Sequence, residues 1–262
     1  MKVAVFGDRM WDVYHIGEAS ALSAEVPIPV VKVKECKSFP GGAGNVVENL
    51  KALGCEVVDY TQQEPYDLLP IKNRLMVGDH QLARWDERDT CNPYEGKVFP
   101  KVDAVVVADY QKGAITEDII KKIGLLGGPV FVDTKGDPTP WKGITTAIFP
   151  NSKEFTKYNG EYYNFPGLLV WKASDAGLFL YRDTKLVANS PAQAKFVRSV
   201  NGAGDTVLAA FVYRYLYMPF EKIDDDYKEI LDFANTAAAI AVENPYTYAP
   251  TKDEVLQRYE NR

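Results

Sequence analysis

Residues 201–215 read NGAGDTVLAAFVYRY, a glycine-rich turn that opens directly into an apolar-periodic helix. The first amides of a helix have no partner inside it, and they carry the positive end of the helix dipole. Gly202 and Gly204, on either side of Ala203, let those amides approach an anion closely. A phosphate group is the anion that suits such a cradle, and the carboxylate of Asp205 would lie beside it. The same residues also suit a plain helix start capped by Asn201 or Asp205. A second run, PGGAGN at 40–45, repeats the pattern. Gly41 and Gly42 precede Asn45 there, which either brings amides to a polar ligand or forms a tight turn with an asparagine cap. Neither run is a GxxxxGK[ST] phosphate loop, and no GxGxxG follows Gly7.

Such loops need rigid elements behind them. Residues 2–6 predict a short apolar strand ending at Gly7, and the residues after it read as a polar stretch with turns. Residues 27–37 alternate apolar and charged types from Val31 onward, which predicts a strand with one wet face. Prolines 27 and 29 suit an edge or a strand start. Residues 45–53 switch to helical period and stop at Gly54, and residues 72–86 predict one or two further exposed strands. From 103 onward apolar strands alternate with helices. The strands fall near 102–108, 129–133, 146–149, 168–172 and 178–181. The helices run from a Thr116 cap to about Leu126, over 203–217, and over 226–243 up to Pro245. Continuous apolar strands alternating with helices predict an α/β fold whose mainly parallel sheet is covered on both faces. The half-wet strands do not fit that layer and predict a small accessory sheet.

With 262 residues, 46% of them hydrophobic, the chain can bury a sizeable core. A net charge of −6 and a pI near 5.1 argue against a nucleic-acid binder dominated by phosphate contacts, while leaving room for a local basic pocket. Cys36, Cys55 and Cys91 are too few and too scattered for a disulfide framework or a zinc knuckle. His15 and His80 stand apart from any cysteine cluster. The opening MKVAVFGD reads as a strand and not a leader, and no run approaches membrane-spanning length. The expectation is a cytoplasmic protein without a membrane partner.

The early GGAGN and the late NGAGD, in that order, resemble the two signatures of the ribokinase-like (PfkB) carbohydrate kinases, and the likeness extends over almost the whole chain. Within that family the chain is similar to the kinase domain of bacterial D-glycero-β-D-manno-heptose-7-phosphate kinases. GDRMWDVY, EVPIPVVKV, PGGAGNVVENLKALG, HQLARWD, ADYQKG and VDTKGD carry this likeness. The resemblance implies one ribokinase-like three-layer α/β/α domain over 1–262, with a β-sheet lid drawn from about 13–38 and 72–98. It implies ATP and Mg²⁺ and a sugar or sugar-phosphate acceptor, with heptose 7-phosphate the first guess. Asp205 becomes the catalytic base, and the amides of Gly202, Ala203 and Gly204 stabilise the transferring group. Asp12, Gly41, Gly42 and Asn45 hold acceptor hydroxyls, and Lys112 or Arg84 an acceptor phosphate. Asn151 and Glu154, an NxxE motif, serve the nucleotide phosphates and magnesium, the metal through water. Asn235, in FANTAAA, lies on the helix lining the adenine pocket, and Lys172 lies near the nucleotide.

Three departures stand out. Ser199 replaces an aspartate that helps hold a monovalent cation, which leaves the need for potassium open. Lys172 replaces a threonine; it can pair with a phosphate or extend to solvent. The stretch 55–72 is short, which predicts a reduced sheet edge. Another sugar or nucleoside kinase, or a catalytically silent sugar-phosphate or nucleotide binder, keeps the same fold. Lid strands with an apolar face and open edges predict a homodimer through the lid.

Overall fold

The structure is a computed structural model, and it describes residues 1–61, 68–95, 101–218 and 226–261. Twelve strands are described. They are β1 (Lys2–Gly7), β2 (Arg9–Leu22), β3 (Pro29–Gly42), β4 (Glu56–Asp59), β5 (Ile71–Val77), β6 (His80–Glu87), β7 (Ala104–Asp109), β8 (Val130–Thr134), β9 (Ala147–Ile148), β10 (Leu168–Lys172), β11 (Leu178–Arg182) and β12 (Lys185–Ser190). The described α-helices are α1 (Ala43–Ala52), α2 (Glu117–Gly124), α3 (Ser152–Lys157), α4 (Asn159–Tyr163), α5 (Ala203–Tyr217), α6 (Tyr227–Glu243) and α7 (Lys252–Glu260).

Eight strands form the main sheet in the order β12-β11-β10-β9-β8-β7-β1-β4. Pairing is parallel from β4 to β10 and antiparallel at β10–β11 and β11–β12. Alternation along each central strand divides the core in two. Val3, Val5, Ala104 and Val106 pack with α1, α5 and α6; Ala4, Phe6, Val105 and Val107 pack with α2 and the region of α3 and α4. Thr116 caps α2, its hydroxyl accepting from the Ile119 amide, with Glu117 and Asp118 in the first turn. The expected mainly parallel sheet with helices on both faces is therefore present.

The smaller sheet, in the order β3-β2-β5-β6, is the lid. It corrects one expectation. The stretch after Gly7, read as polar turns, is the 14-residue strand β2, and β3 continues to Gly42. Hydropathy conceals β2 because the polar Asp12 is buried and Tyr14 is packed beside it, both between lid and main body. The strands of the lid end at Glu87; the expected lid continues to 98, where residues 96–98 lie outside the described residues. So do Asp224 and Asp225, expected to open the helix that is described from Tyr227. Among the described residues no helix is long and apolar enough to cross a membrane.

Candidate active site

Parallel sheets bind ligands outside the carboxyl ends of their strands. Here the ends of β7 and β8 and the starts of α1 and α5 converge at that edge, under the lid. A cavity of about 630 Å³ occupies the space and is lined on one side by Asp12, Lys72, Arg74 and Arg84 and on the other by Asp133, Lys172, Asn235 and Ala239. Asp205 lies between the two groups.

The backbone at Gly202 is left-handed, with φ of 78°, and it passes so close to α1 that an added Cβ would come within 2.5 Å of the Asn45 amide nitrogen. Only glycine meets both conditions. α5 therefore starts against Asn45, and the two glycine runs become one site. Asp205 Oδ2 accepts from Asn45 Nδ2 at 2.9 Å, and Oδ1 accepts from the Tyr110 hydroxyl at 2.6 Å. Asn49 Nδ2 donates to Asn45 Oδ1 at 3.0 Å, which turns the Asn45 amide nitrogen toward Asp205. Tyr110 is placed by Asp8, whose carboxylate accepts from the amides of Tyr110, Lys112 and Ala114 at 2.8–3.0 Å. Burial raises the pKa of the Asp205 carboxyl; the bonds from Tyr110 and Asn45 oppose the rise. Burial and the neighbouring Asp205 hold Tyr110 protonated, so it remains the donor.

On the lid side, Asp12 Oδ1 accepts from Arg74 Nη1 at 2.5 Å, with both side chains nearly buried. A side chain at Gly41 would overlap the Asp12 carboxylate, so the PGGAGN backbone and Asp12 define one surface. Lys72 Nζ lies 5.0 Å from the centre of the Tyr110 ring. Burial depresses the Lys72 pKa, with Arg84 and Arg74 adding to the effect and Asp12 opposing it. Arg84 is held by both Asp86 oxygens, at 2.9 and 2.7 Å.

On the opposite side Asp133 is the hub. It pairs with Lys172 and, at 3.1 Å, with Lys135, which also reaches Glu154 at 3.0 Å. Burial opposes ionisation of Asp133, but the two lysines outweigh it and keep its pKa below the ordinary value. Lys172 is 8% exposed and stands against the cradle: a Cβ on Gly204 would lie 3.4 Å from its Nζ. Asn151 and Glu154 close a reciprocal capping box at the start of α3. Asn235 donates to Ser190 Oγ at 3.0 Å and to the Pro191 carbonyl at 2.5 Å, tying α6 to the end of β12. Beside it Val197, Val200, Ala238, Ala239 and Val242 form an apolar wall.

The structure brings most of the expected residues together: Asp205, Gly202, Ala203, Gly204, Asp12, Gly42, Asn151, Lys172 and Asn235 line the cavity, with Asn45 and Gly41 directly behind. Lys112 is placed elsewhere. Its ammonium is held by Asp89, outside the cavity lining, and only its backbone serves the site, through Asp8. Lys72 and Arg84 bring positive charge to the lid side of the cavity. Sequence reasoning missed Lys72, Arg74, Tyr110, Asp133 and Lys135. The last three sit just at or beyond the ends of apolar strands, in ADYQKG and VDTKGD, and that position was the available signal. Ser199 accepts from the Asn201 amide through its hydroxyl, at 3.3 Å.

Among the described residues no group of three or more histidine, cysteine or acidic side chains forms a metal cage. Both Glu154 oxygens already accept, from the Asn151 amide and side chain. Lys135 also pairs with Glu154 Oε1, and Asn151 Oδ1 accepts from the Lys153 and Glu154 amides, so these two residues would meet magnesium only through water, as suits that reluctantly dehydrated ion.

Residues 129–254 match the family described as pfkB family carbohydrate kinase. The bifunctional protein HldE of Coxiella burnetii is 30% identical over an alignment covering 92% of this chain and 60% of that protein. The chain thus spans about three-fifths of the length of that relative. The nucleoside kinase of Methanocaldococcus jannaschii, an archaeal member of the ribokinase family, superposes with a TM-score of 0.72 at 18% identity, covering 100% of this chain and 98% of that one. Arabidopsis thaliana ribokinase, solved with ribose and ATP, gives 0.69 at 17% identity, covering 99% and 98%. The structural likenesses establish the ribokinase-like fold.

Proposed function

Because the chain is related to the pfkB family of carbohydrate kinases, we propose that it transfers a phosphoryl group from ATP to a hydroxyl of a sugar phosphate, with heptose 7-phosphate as the first acceptor to test. The observation that carries this reading is Asp205, buried at the start of α5 between a cationic lid face and the Asp133–Lys172 pair. Phosphoryl transfer asks for alignment and charge neutralisation more than for covalent help.

Asp12, held by Arg74, and the PGGAGN backbone fix the acceptor hydroxyls. Asp205 accepts the hydroxyl proton as the acceptor oxygen attacks the γ-phosphorus. The amides at Gly202, Ala203 and Gly204 receive the negative charge that develops. Lys135 and Lys172 face the nucleotide phosphates, and the apolar wall beside Asn235 takes the base. Asn151 and Glu154 would hold the magnesium that accompanies ATP, and that ion would supply further charge neutralisation. The lid excludes water, so that ATP is not hydrolysed.

A phosphorylated acceptor is favoured by Lys72. Its ammonium faces the cavity with no carboxylate bonded to it among the described residues, and Arg84 is beside it. A screen of sugar phosphates by coupled ADP release tests the reading. Absence of ADP release across heptose, hexose and pentose phosphates, with tight sugar binding, would overturn it. Charge-assisted hydrogen bonds contribute about 1.5–3 kcal/mol. Lys72→Met is therefore expected to raise KM for the phosphorylated acceptor by roughly ten- to a hundredfold, while KM for ATP stays within about twofold.

The pH profile follows from Asp205. Proton acceptance requires the ionised carboxylate, and burial raises its pKa. Activity is present above that raised pKa and is lost as pH falls through it. The acid limb of kcat/KM is expected above the ordinary aspartate range of about 3.9. A limb at or below that value would contradict the placement.

A further inference from the structure

The outer face of the lid carries a second group of reactive side chains, away from the cavity. His15 on β2 faces Cys36 on β3, its register partner, with Nδ1 3.3 Å from the exposed sulfur. His15 Nε2 lies 2.8 Å from Asn73 Oδ1 on β5. Asn73 Nδ2 in turn donates to Glu87 Oε1 on β6 at 3.0 Å. Trp85 stacks on the imidazole, with ring centres 5.0 Å apart and an interplanar angle of 26°, and donates its indole N–H to the same Glu87 oxygen at 3.0 Å.

These contacts assign the protons. A carboxylate only accepts, so the amide nitrogen of Asn73 faces Glu87 and its oxygen faces His15. That oxygen also only accepts, so the His15 proton is on Nε2. Nδ1 is left with a lone pair, and its partner is the Cys36 S–H. The thiol is therefore the donor and the imidazole its base. A nucleophile, a base within reach and a third group that orients the base make up the general arrangement of an activated nucleophile. Glu87, through Asn73, holds the imidazole in this orientation.

We propose that Cys36 is an activated thiol and a site of thiol–disulfide exchange with low-molecular-weight disulfides. The proton passes from Cys36 Sγ to His15 Nδ1. The thiolate attacks one sulfur of the disulfide, the S–S bond breaks, and a mixed disulfide forms on Cys36. The departing thiolate takes up the proton from His15 or solvent, and no further oxidant is needed. Cys55 and Cys91 are buried, and burial raises both thiol pKa values, that of Cys91 to about 12. They do not compete. Glu87 is the charged group bonded into the cluster. The flanking Glu35 and Lys37 pair with each other at 3.4 Å, and Lys34, two residues along β3, is held by Glu18 at 2.8 Å.

The test is the rate at which oxidised glutathione modifies dilute protein, with the site located by mass spectrometry. At pH 7, Cys36 is expected to react about tenfold or more faster than in His15→Gln, and faster than Cys55 and Cys91. Equal rates in the wild type and His15→Gln would overturn the proposal, as would modification led by Cys55 or Cys91. If His15→Gln does not fold, the wild type decides by comparison with the same chain unfolded in urea. At pH 7 native Cys36 is expected to react about tenfold or more faster than Cys36 of the unfolded chain, and equal rates would overturn the proposal.

Discussion

Asp205→Asn is expected to lower kcat for phosphoryl transfer by about 10³- to 10⁴-fold, the upper part of the range for removal of a general base. The substitution keeps size and shape and removes only the capacity to accept a proton. Its effect on folding is a balance of opposing terms. The introduced side-chain amide would still accept from Tyr110 through its oxygen, but its nitrogen would face the Asn45 Nδ2 donor. Asn45 cannot turn freely, because its Oδ1 is already engaged by Asn49. Such a donor–donor contact costs about 1–3 kcal/mol. Against that, a buried carboxylate whose pKa burial has raised is itself costly to ionise, and its replacement by a neutral amide relieves that cost. A small change in Tm is expected beside the large loss of turnover. ATP affinity, measured by calorimetric titration, should change little, since Asp205 bonds to Tyr110 and Asn45 and to none of the residues around Lys172. Turnover within tenfold of the wild type would exclude Asp205 as the base.

The Asp205 site also shows what a sequence can disclose. The glycine-rich starts of α1 and α5 were legible because glycine at a helix start narrows the choices sharply. The central strands were legible because burial on both faces leaves continuous apolar runs, as at Ala104–Asp109. β2 was not, since its buried Asp12, which lines the cavity, reads in the sequence as a solvent-facing polar residue. The partners of buried charges were hidden for a different reason. Arg74 reaches Asp12 from 62 positions away, and Lys172 reaches Asp133 from 39. Pairing at such separation depends on strand order, which local periodicity does not specify. Lys112 shows the reverse error. A lysine in a suggestive segment invites a ligand, yet Asp89 holds its ammonium and only its backbone amide contributes, as an anchor for Asp8.

Lys172→Met should produce the second large effect, a loss of about 10²–10³ in kcat/KM for ATP, similar to removal of one donor from an oxyanion site. Charge balance on the Asp133 side of the cavity sets the size of this loss. Asp133 and Glu154 supply two negative charges, and Lys135 and Lys172 supply two positive ones. Without the Lys172 charge the three remaining charged groups carry a net charge of −1 where a triphosphate would bind. A unit charge about 4 Å away is worth about 4 kcal/mol at an effective dielectric constant near 20, enough to account for the whole predicted loss. The cost to folding is smaller than the roughly 3–5 kcal/mol of an ordinary broken buried pair, because Asp133 keeps Lys135. Burial already depresses the Lys172 pKa, with Asp133 opposing the effect, so this amine is held in place at the expense of its own solvation. When phosphate arrives, Lys172 can exchange Asp133 for a phosphate oxygen while Lys135 keeps the aspartate neutralised. Lys172→Arg tests the same idea from the other side: it keeps the charge, and ATP binding should recover in part even where the longer side chain slows transfer. Steady-state kinetics with varied ATP, alongside thermal melts of both variants, separates the two effects. If KM for ATP and kcat both stay at wild-type values in Lys172→Met, the nucleotide phosphates bind elsewhere in the cavity.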